Sequence, residues 1–306
     1  MLRKLLTRPV WNWETKRPYP IRQQASLLPP ITVSPSPSRL VILTTPAALP
    51  DALWAAWSWF RFLQPKGFEL HLAVDGTLPQ EDLRKAGSLF PGIFVYDVNT
   101  VVEQFCSGRP ALSNFMRHHP IAKQVGISLA LSCQGAVIYS DHDVCAFNHP
   151  GELLDAIDAE KPCYFPDTGK VCHDPSLLEI LQAKGIQHIE NLNAGFLYIP
   201  QNSLPVDLAE EILSPWSPLP RHYFTPQTVM STLMHAAHAK PLPASRYLIS
   251  NCRQFYWQKD VDYAAIAARH FTGPVRHVLY KFGMPFLLRQ AQQEDPRGAK
   301  LKAFSE

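Results

Sequence analysis

An α/β fold built on a mostly parallel sheet is what this 306-residue sequence predicts. Short apolar runs of strand length alternate with apolar segments at helical spacing, and turn residues punctuate them. Hydrophobic residues make up 46% of the chain, enough to bury a substantial core in one large domain. A parallel sheet joined by helices is covered on both faces, and its ligands gather at the carboxyl ends of the strands.

The first segment, 1–38, mixes basic residues with Pro9, Pro18, Pro20, Pro29, Pro30, Pro35 and Pro37. It can hold neither a long helix nor a central strand and reads as an arm packed on its own domain. Its basic and aromatic start, Met1 to Trp13, offers peripheral contact with an anionic membrane as an alternative use. The main domain spans 39–280, and a helical, basic tail takes up 281–306. From Arg39 the pattern is regular: a strand at Leu40 to Leu43, a helix at Asp51 to Leu63, a strand at Glu69 to Val74, the turn Asp75-Gly76, a helix at Leu78 to Leu89 and a strand at Ile93 to Tyr96. Apolar residues at helical spacing from Ala122 to Cys133 lead to the strand Gly135 to Tyr139. Strands at Cys163 to Pro166 and Ala194 to Ile199 follow, with helices at Pro175 to Lys184, Gln227 to Ala239 and Tyr263 to Arg269. Trp54, Trp57 and Trp59 fall at core-compatible helical spacing and read as packing. Arg117-His118-His119 reads as the polar start of a helix, because adjacent histidines on a helix point apart.

A formal charge of +3 is too small for a nucleic-acid partner, but it suits a small anionic substrate. The six cysteines contain no Cys-x-x-Cys pair, which points to a reduced, cytoplasmic chain. No apolar run approaches the length of about 20 residues that a membrane helix needs.

The chemistry concentrates at Ser140-Asp141-His142-Asp143, where two carboxylates one residue apart end an apolar strand. If the chain kinks there, both face one crevice as hard oxygen ligands for Mn2+ or Mg2+. A second copy, Asp260-Val-Asp262, precedes a helical run instead of ending a strand and reads as a helix cap.

Val137 to Val144 resembles the strand ending in Asp-x-Asp of the GT-A glycosyltransferases. Asn191-Leu-Asn-Ala-Gly-Phe-Leu-Tyr-Ile199 is similar to the Asn-Ser-Gly segment of glycogenin and the related bacterial galactosyltransferases, with Ala194 in place of Ser. His270-Phe-Thr-Gly-Pro-Val-Arg276 resembles their closing His-x-x-Gly-x-x-Lys motif, with Arg276 in place of Lys. Thr225-Pro-Gln-Thr228 matches their Asp-Gln step only at Gln227, since no acid precedes it.

The resemblance implies a GT-A, Rossmann-like sandwich that transfers a hexose from a nucleoside diphosphate sugar, a UDP-sugar first among donors, to a glycan, lipid or small-molecule acceptor. It implies a metal held by Asp141, Asp143 and His270, and catalytic roles for Asp141, Asp143, Asn193 and Gln227. Thr44, Asp75 and Lys123 would face the nucleotide, while Gly273 and Arg276 would meet its diphosphate. The closing His motif favours retention of configuration; inversion would call on a base such as Asp167 or Asp174. Two rivals stand beside this reading. Asp141-His-Asp-Val144 also fits the nucleophile motif of haloacid-dehalogenase-like phosphatases, although about three strands precede it here. The missing acid before Gln227 also allows a transferase-like fold kept as a non-catalytic binding module.

Overall fold

A computed structural model describes residues 13–14, 17–167, 169, 172–215, 222–250 and 261–294. The start of the arm, Cys252, Asp260 and the end of the basic tail lie outside the described residues.

The first half runs as strand and helix in turn: β1 (Ser38–Thr44), α1 (Leu49–Leu63), β2 (Phe68–Val74), α2 (Gln80–Leu89) and β3 (Phe94–Asp97). Three helices, α3 (Val98–Cys106), α4 (Pro110–His118) and α5 (Lys123–Ser132), lead to β4 (Val137–Asp141). Then come β5 (Val144–Ala146), α6 (Gly151–Asp158), β6 (Cys163–Pro166), α7 (Pro175–Ala183) and β7 (Leu192–Ile199). The last part holds α8 (Val206–Leu213), α9 (Thr225–Ala236), β8 (Lys240–Pro241), β9 (Tyr247–Ser250), β10 (Ala268–Phe271), α10 (Arg276–Val278) and α11 (Met284–Glu294).

The strands form a seven-stranded sheet in the order β3-β2-β1-β4-β7-β6-β8 and a three-stranded sheet in the order β5-β10-β9. In the large sheet β3, β2, β1 and β4 run parallel, while β7 is antiparallel to both β4 and β6. Every residue of β2 and of β7 is buried, as strands covered on two faces require. One covering layer centres on α1, with Trp54, Trp57, Trp59 and Phe60 at its heart. The other is formed by α3, α5 and α9 through residues such as Val102, Ile127 and Met230.

The three tryptophans are core, as their spacing predicts, and each indole also ties α1 to another segment. Trp54 donates to the carbonyl of Arg22 at 3.1 Å, Trp57 to that of Pro29 at 3.0 Å, and Trp59 to that of Val144 at 3.0 Å. The described part of the arm therefore packs on the domain. It makes the 3-10 helix Pro20–Leu27, and Ala25, Leu28 and Val33 enter the core. At its end the arm passes so close to the chain before β4 that a Cβ on Gly135 would meet the carbonyl oxygen of Pro37 at 1.8 Å. Only glycine fits that crossing.

Several expectations are corrected. The segment Tyr263 to Arg269 is not a helix: its end joins β10, which pairs with β5 on one side and β9 on the other. These long-range partners outweigh the local preference. Arg117 and His118 close α4 instead of starting a helix, where the positive charge of Arg117 suits the carboxyl end. His119 follows as a buried residue bonded to the carbonyl of His222 at 2.9 Å. Asp262 makes a local turn to the amide of Ala264 at 3.0 Å. Among the described residues, no helix is long and apolar enough to cross a membrane.

Candidate metal and donor site

The acidic pair lies where the chain leaves one sheet for the other. Asp141 ends β4 beside Leu43 of β1, residues 142 and 143 form a turn, and Val144 opens β5 against His270 of β10. This turn is the kink the sequence reading requires. The amide of Phe271 donates to the carbonyl of Asp143 at 2.9 Å, so the segment carrying His270 is stitched to the acidic turn by backbone.

Asp141, Asp143 and His270 converge: one ligand atom from each lies within 4.8 Å of the others. The Nε2 of His270 stands 3.3 Å from Asp143 Oδ1 and 3.9 Å from Asp141 Oδ2. Its Nδ1 donates to Asn193 Oδ1 at 2.9 Å, and that oxygen also accepts the amide of Gly195 at 3.0 Å. An amide oxygen engaged by two donors fixes the proton on Nδ1 and turns Nε2 toward the carboxylates. Gly195 makes room for this ring, since a Cβ there would lie 2.5 Å from His270 Cε1.

Asp143 is held on its other side by Arg276, whose Nε and Nη2 donate to Oδ2 at 3.0 and 2.6 Å. Burial alone would push the Asp143 carboxyl up, but His270 and Arg276 flank it and hold it far below the usual carboxylate range. Asp141 moves the other way: burial raises it, the charge of Asp143 adds to that, and His270 together with the Tyr139 hydroxyl at 2.7 Å offsets only part. Burial pulls His270 down, but the carboxylates of Asp143 and Asp141 outweigh it and the ring is raised.

This donor set fits a divalent cation. Two carboxylate oxygens and one imidazole nitrogen suit Mn2+ or Mg2+. Ligands about 2.1 Å from an ion lie roughly 3 to 4 Å from one another, as His270 Nε2 does from each carboxylate. Asp141 keeps 34% of its side chain exposed and leaves an open side, whereas Asp143 keeps 4%.

Thr44, Asp75 and Lys123 come together at the carboxyl ends of β1 and β2. The amide of Asp75 donates to the carbonyl of Thr44 at 2.8 Å, and Lys123, at the start of α5, pairs with Asp75 at 2.5 Å. Gly273 sits in the 3-10 turn Gly273–Val275, and a Cβ there would meet nothing within 4 Å. Gln227 donates to the carbonyl of Cys172 at 2.7 Å. Asp174 is a buried helix cap: it accepts from the amides of Ser176 and Leu177 and from the Thr225 hydroxyl, the last at 2.6 Å.

Sequence reasoning missed Tyr139 as a partner of Asp141 and Asn193 as the residue that orients His270. Strand alternation was the available signal for Tyr139, because residues two apart share a face. Nothing local could pair Asn193 with a residue 77 positions later.

No protein-family model matches the sequence, and no curated protein matches it. Solved structures do. The galactosyltransferase LgtC, in complex with donor and acceptor sugar analogs, matches with a TM-score of 0.52 at 13% identity, covering 84% of this chain and 96% of that one. The bifunctional glycosyltransferase WbbM, in its apo form, matches with a TM-score of 0.53 at 13% identity over 86% of this chain. The match spans 53% of WbbM, about half of that longer protein. The chain therefore has the GT-A glycosyltransferase fold, far diverged in sequence, and its Asp-x-Asp ends the strand from which the chain crosses to the second sheet.

Proposed function

We propose that this chain is a metal-dependent glycosyltransferase that moves a hexose from a nucleoside diphosphate sugar, with UDP-sugars the first donors to try, to a glycan, lipid or small-molecule acceptor. The observation that carries this reading is the convergence of Asp141, Asp143 and His270 on one cation-sized spot at the end of β4, in a GT-A fold. When bound, a divalent cation there supplies Lewis-acid stabilisation of the charge that grows on a departing diphosphate. Arg276 adds a fixed positive fork beside it. Thr44, Asp75 and Lys123 form the nucleoside end of the donor site, and Gly273 lets backbone approach the diphosphate. Asn193 serves the sugar site through His270, whose orientation it sets. Gln227 completes the proposed catalytic set, its side chain tied to the carbonyl of Cys172.

Retention of configuration is the stereochemistry we favour. Asp174 is buried and committed to capping a helix, so it is not presented as a free base for inversion. Product NMR checks this: an inverted anomeric linkage would discard it.

A donor-hydrolysis screen over UDP, GDP and CDP sugars with Mn2+ tests the function itself. Mn2+-dependent release of UDP is the expected result. Phosphate release from sugar phosphates without nucleotide-sugar turnover would replace it with the phosphatase reading through Asp141. Nucleotide binding without turnover of any donor would leave the binding-module reading.

A further inference from the structure

The segment that follows Arg276 is tied to residues far from it in the sequence. The chain runs from α10 through the π-helical turn Leu279–Gly283, and Tyr280 in that turn donates its hydroxyl to Asp51 Oδ2 at 2.8 Å. Asp51, in the first turn of α1, accepts a second and two-pronged bond from Arg22 of the arm, at 2.7 and 3.1 Å. The Arg22 guanidinium also lies 5.1 Å from the centre of the Tyr280 ring. One residue further, Lys281 pairs with Glu14 of the arm, which also accepts the Tyr19 hydroxyl. The Tyr19 and Tyr280 rings meet at 5.0 Å. The side chains of Asp51 and Glu14 are 2% and 1% exposed, so each would be costly to leave without its partners. Arm, α1 and the Arg276 segment are thereby locked to one another.

The identity of residue 276 gives this lock a purpose. A lysine ammonium is a compact charge on a flexible stem and tolerates displacement of its backbone. A guanidinium is a planar fork whose orientation must be right before two bonds form together. Here the fork meets Asp143 through both Nε and Nη2.

We propose that the arm is a strap, and that Arg22, Asp51 and Tyr280 are positioning residues that hold the 276–283 turn where the Arg276 fork meets Asp143 and the donor diphosphate. The diphosphate part rests on the glycosyltransferase reading; the positioning of the turn does not.

The full chain carrying Tyr280→Phe or Arg22→Gln tests this by hydrogen exchange and by calorimetric titration of UDP in the presence of Mn2+. Exchange across 276–283 should accelerate in both variants. UDP affinity should fall about tenfold, which is about 1.4 kcal/mol of binding free energy. In an Arg276→Lys background the same Tyr280→Phe change should cost much less UDP affinity, because the two residues act as one unit. Unchanged exchange across 276–283, or an equal loss of UDP affinity with and without Arg276→Lys, would overturn the strap. If the wild-type chain binds no nucleoside diphosphate, the glycosyltransferase reading fails, and the exchange result alone decides the strap.

Discussion

Asn193 Oδ1 accepts from both His270 and the amide of Gly195, so one side chain sets the direction in which the imidazole presents Nε2. Residues that orient a metal ligand typically matter by about 10- to 100-fold in metal affinity. Asn193→Ala should weaken Mn2+ binding by about that factor, read by calorimetry, while circular dichroism shows the fold intact. Gly195→Ala should do the same by a different route. The added methyl would lie 2.5 Å from His270 Cε1 and 2.9 Å from Asn193 Oδ1, so the ring must move. The ligands themselves were legible in the sequence, because a strand ending in two acids and a distant His-x-x-Gly-x-x-Arg segment each leave a local pattern. Their supports were not. Tyr139 is an ordinary strand residue, and Arg276 shows its bond to Asp143 only once β10 is laid against β5.

Among the elements, α1 braces the site, since it backs directly onto β5. Trp59 stacks on Phe196 with centroids 4.5 Å apart and donates to Val144, while Ser58 Oγ accepts the amide of Ala146 at 3.0 Å. Trp59→Ala should cost about 3 to 5 kcal/mol in urea unfolding. Trp59→Phe keeps most of the ring but leaves the Val144 carbonyl without its donor, and should cost about 1 to 3 kcal/mol. A cost near zero for both would mean that α1 does not brace β5. The strands and helices of the first half were readable because each is a local periodic run. The second half was less so, and β10 shows why. Ala268, Arg269, His270 and Phe271 are all buried, with strands on both sides, so no alternation marks them. Helix α4 is similar: its first amides, from Ala111 and Leu112, donate to Glu210 at 2.7 and 2.9 Å, a cap supplied from far along the chain.

At the scale of the whole molecule, burial sets the response to acid. It holds His71, His188 and His277 below the ordinary value of 6.5, with Glu69 only partly opposing the effect at His71. A histidine depressed in the folded state contributes stability that is present above 6.5 and is lost as the pH falls below it, because the unfolded chain takes up the proton first. His270 is raised and runs in the opposite sense, so the difference between wild type and His71→Gln is the informative quantity. The wild-type Tm should fall between pH 7.5 and 5.5, and His71→Gln should lose less over the same interval; equal losses would remove His71 from the account. Glu14 and Glu152 stand below their ordinary value of 4.5: burial opposes this, but Lys281 and Tyr19 at Glu14, and Arg246 and Tyr247 at Glu152, prevail. Their contribution is lost only as the pH falls below 4.5. Two sheets meet at one cation site, and titration of Mn2+ into the wild-type chain and three variants probes that meeting most directly. A single ion should bind the wild type, Asp143→Ala and His270→Ala should each abolish it, and Asp262→Ala, in the second Asp-x-Asp copy, should leave it unchanged. Mn2+ binding that survives both Asp143→Ala and His270→Ala, or disappears with Asp262→Ala, would contradict the site described here.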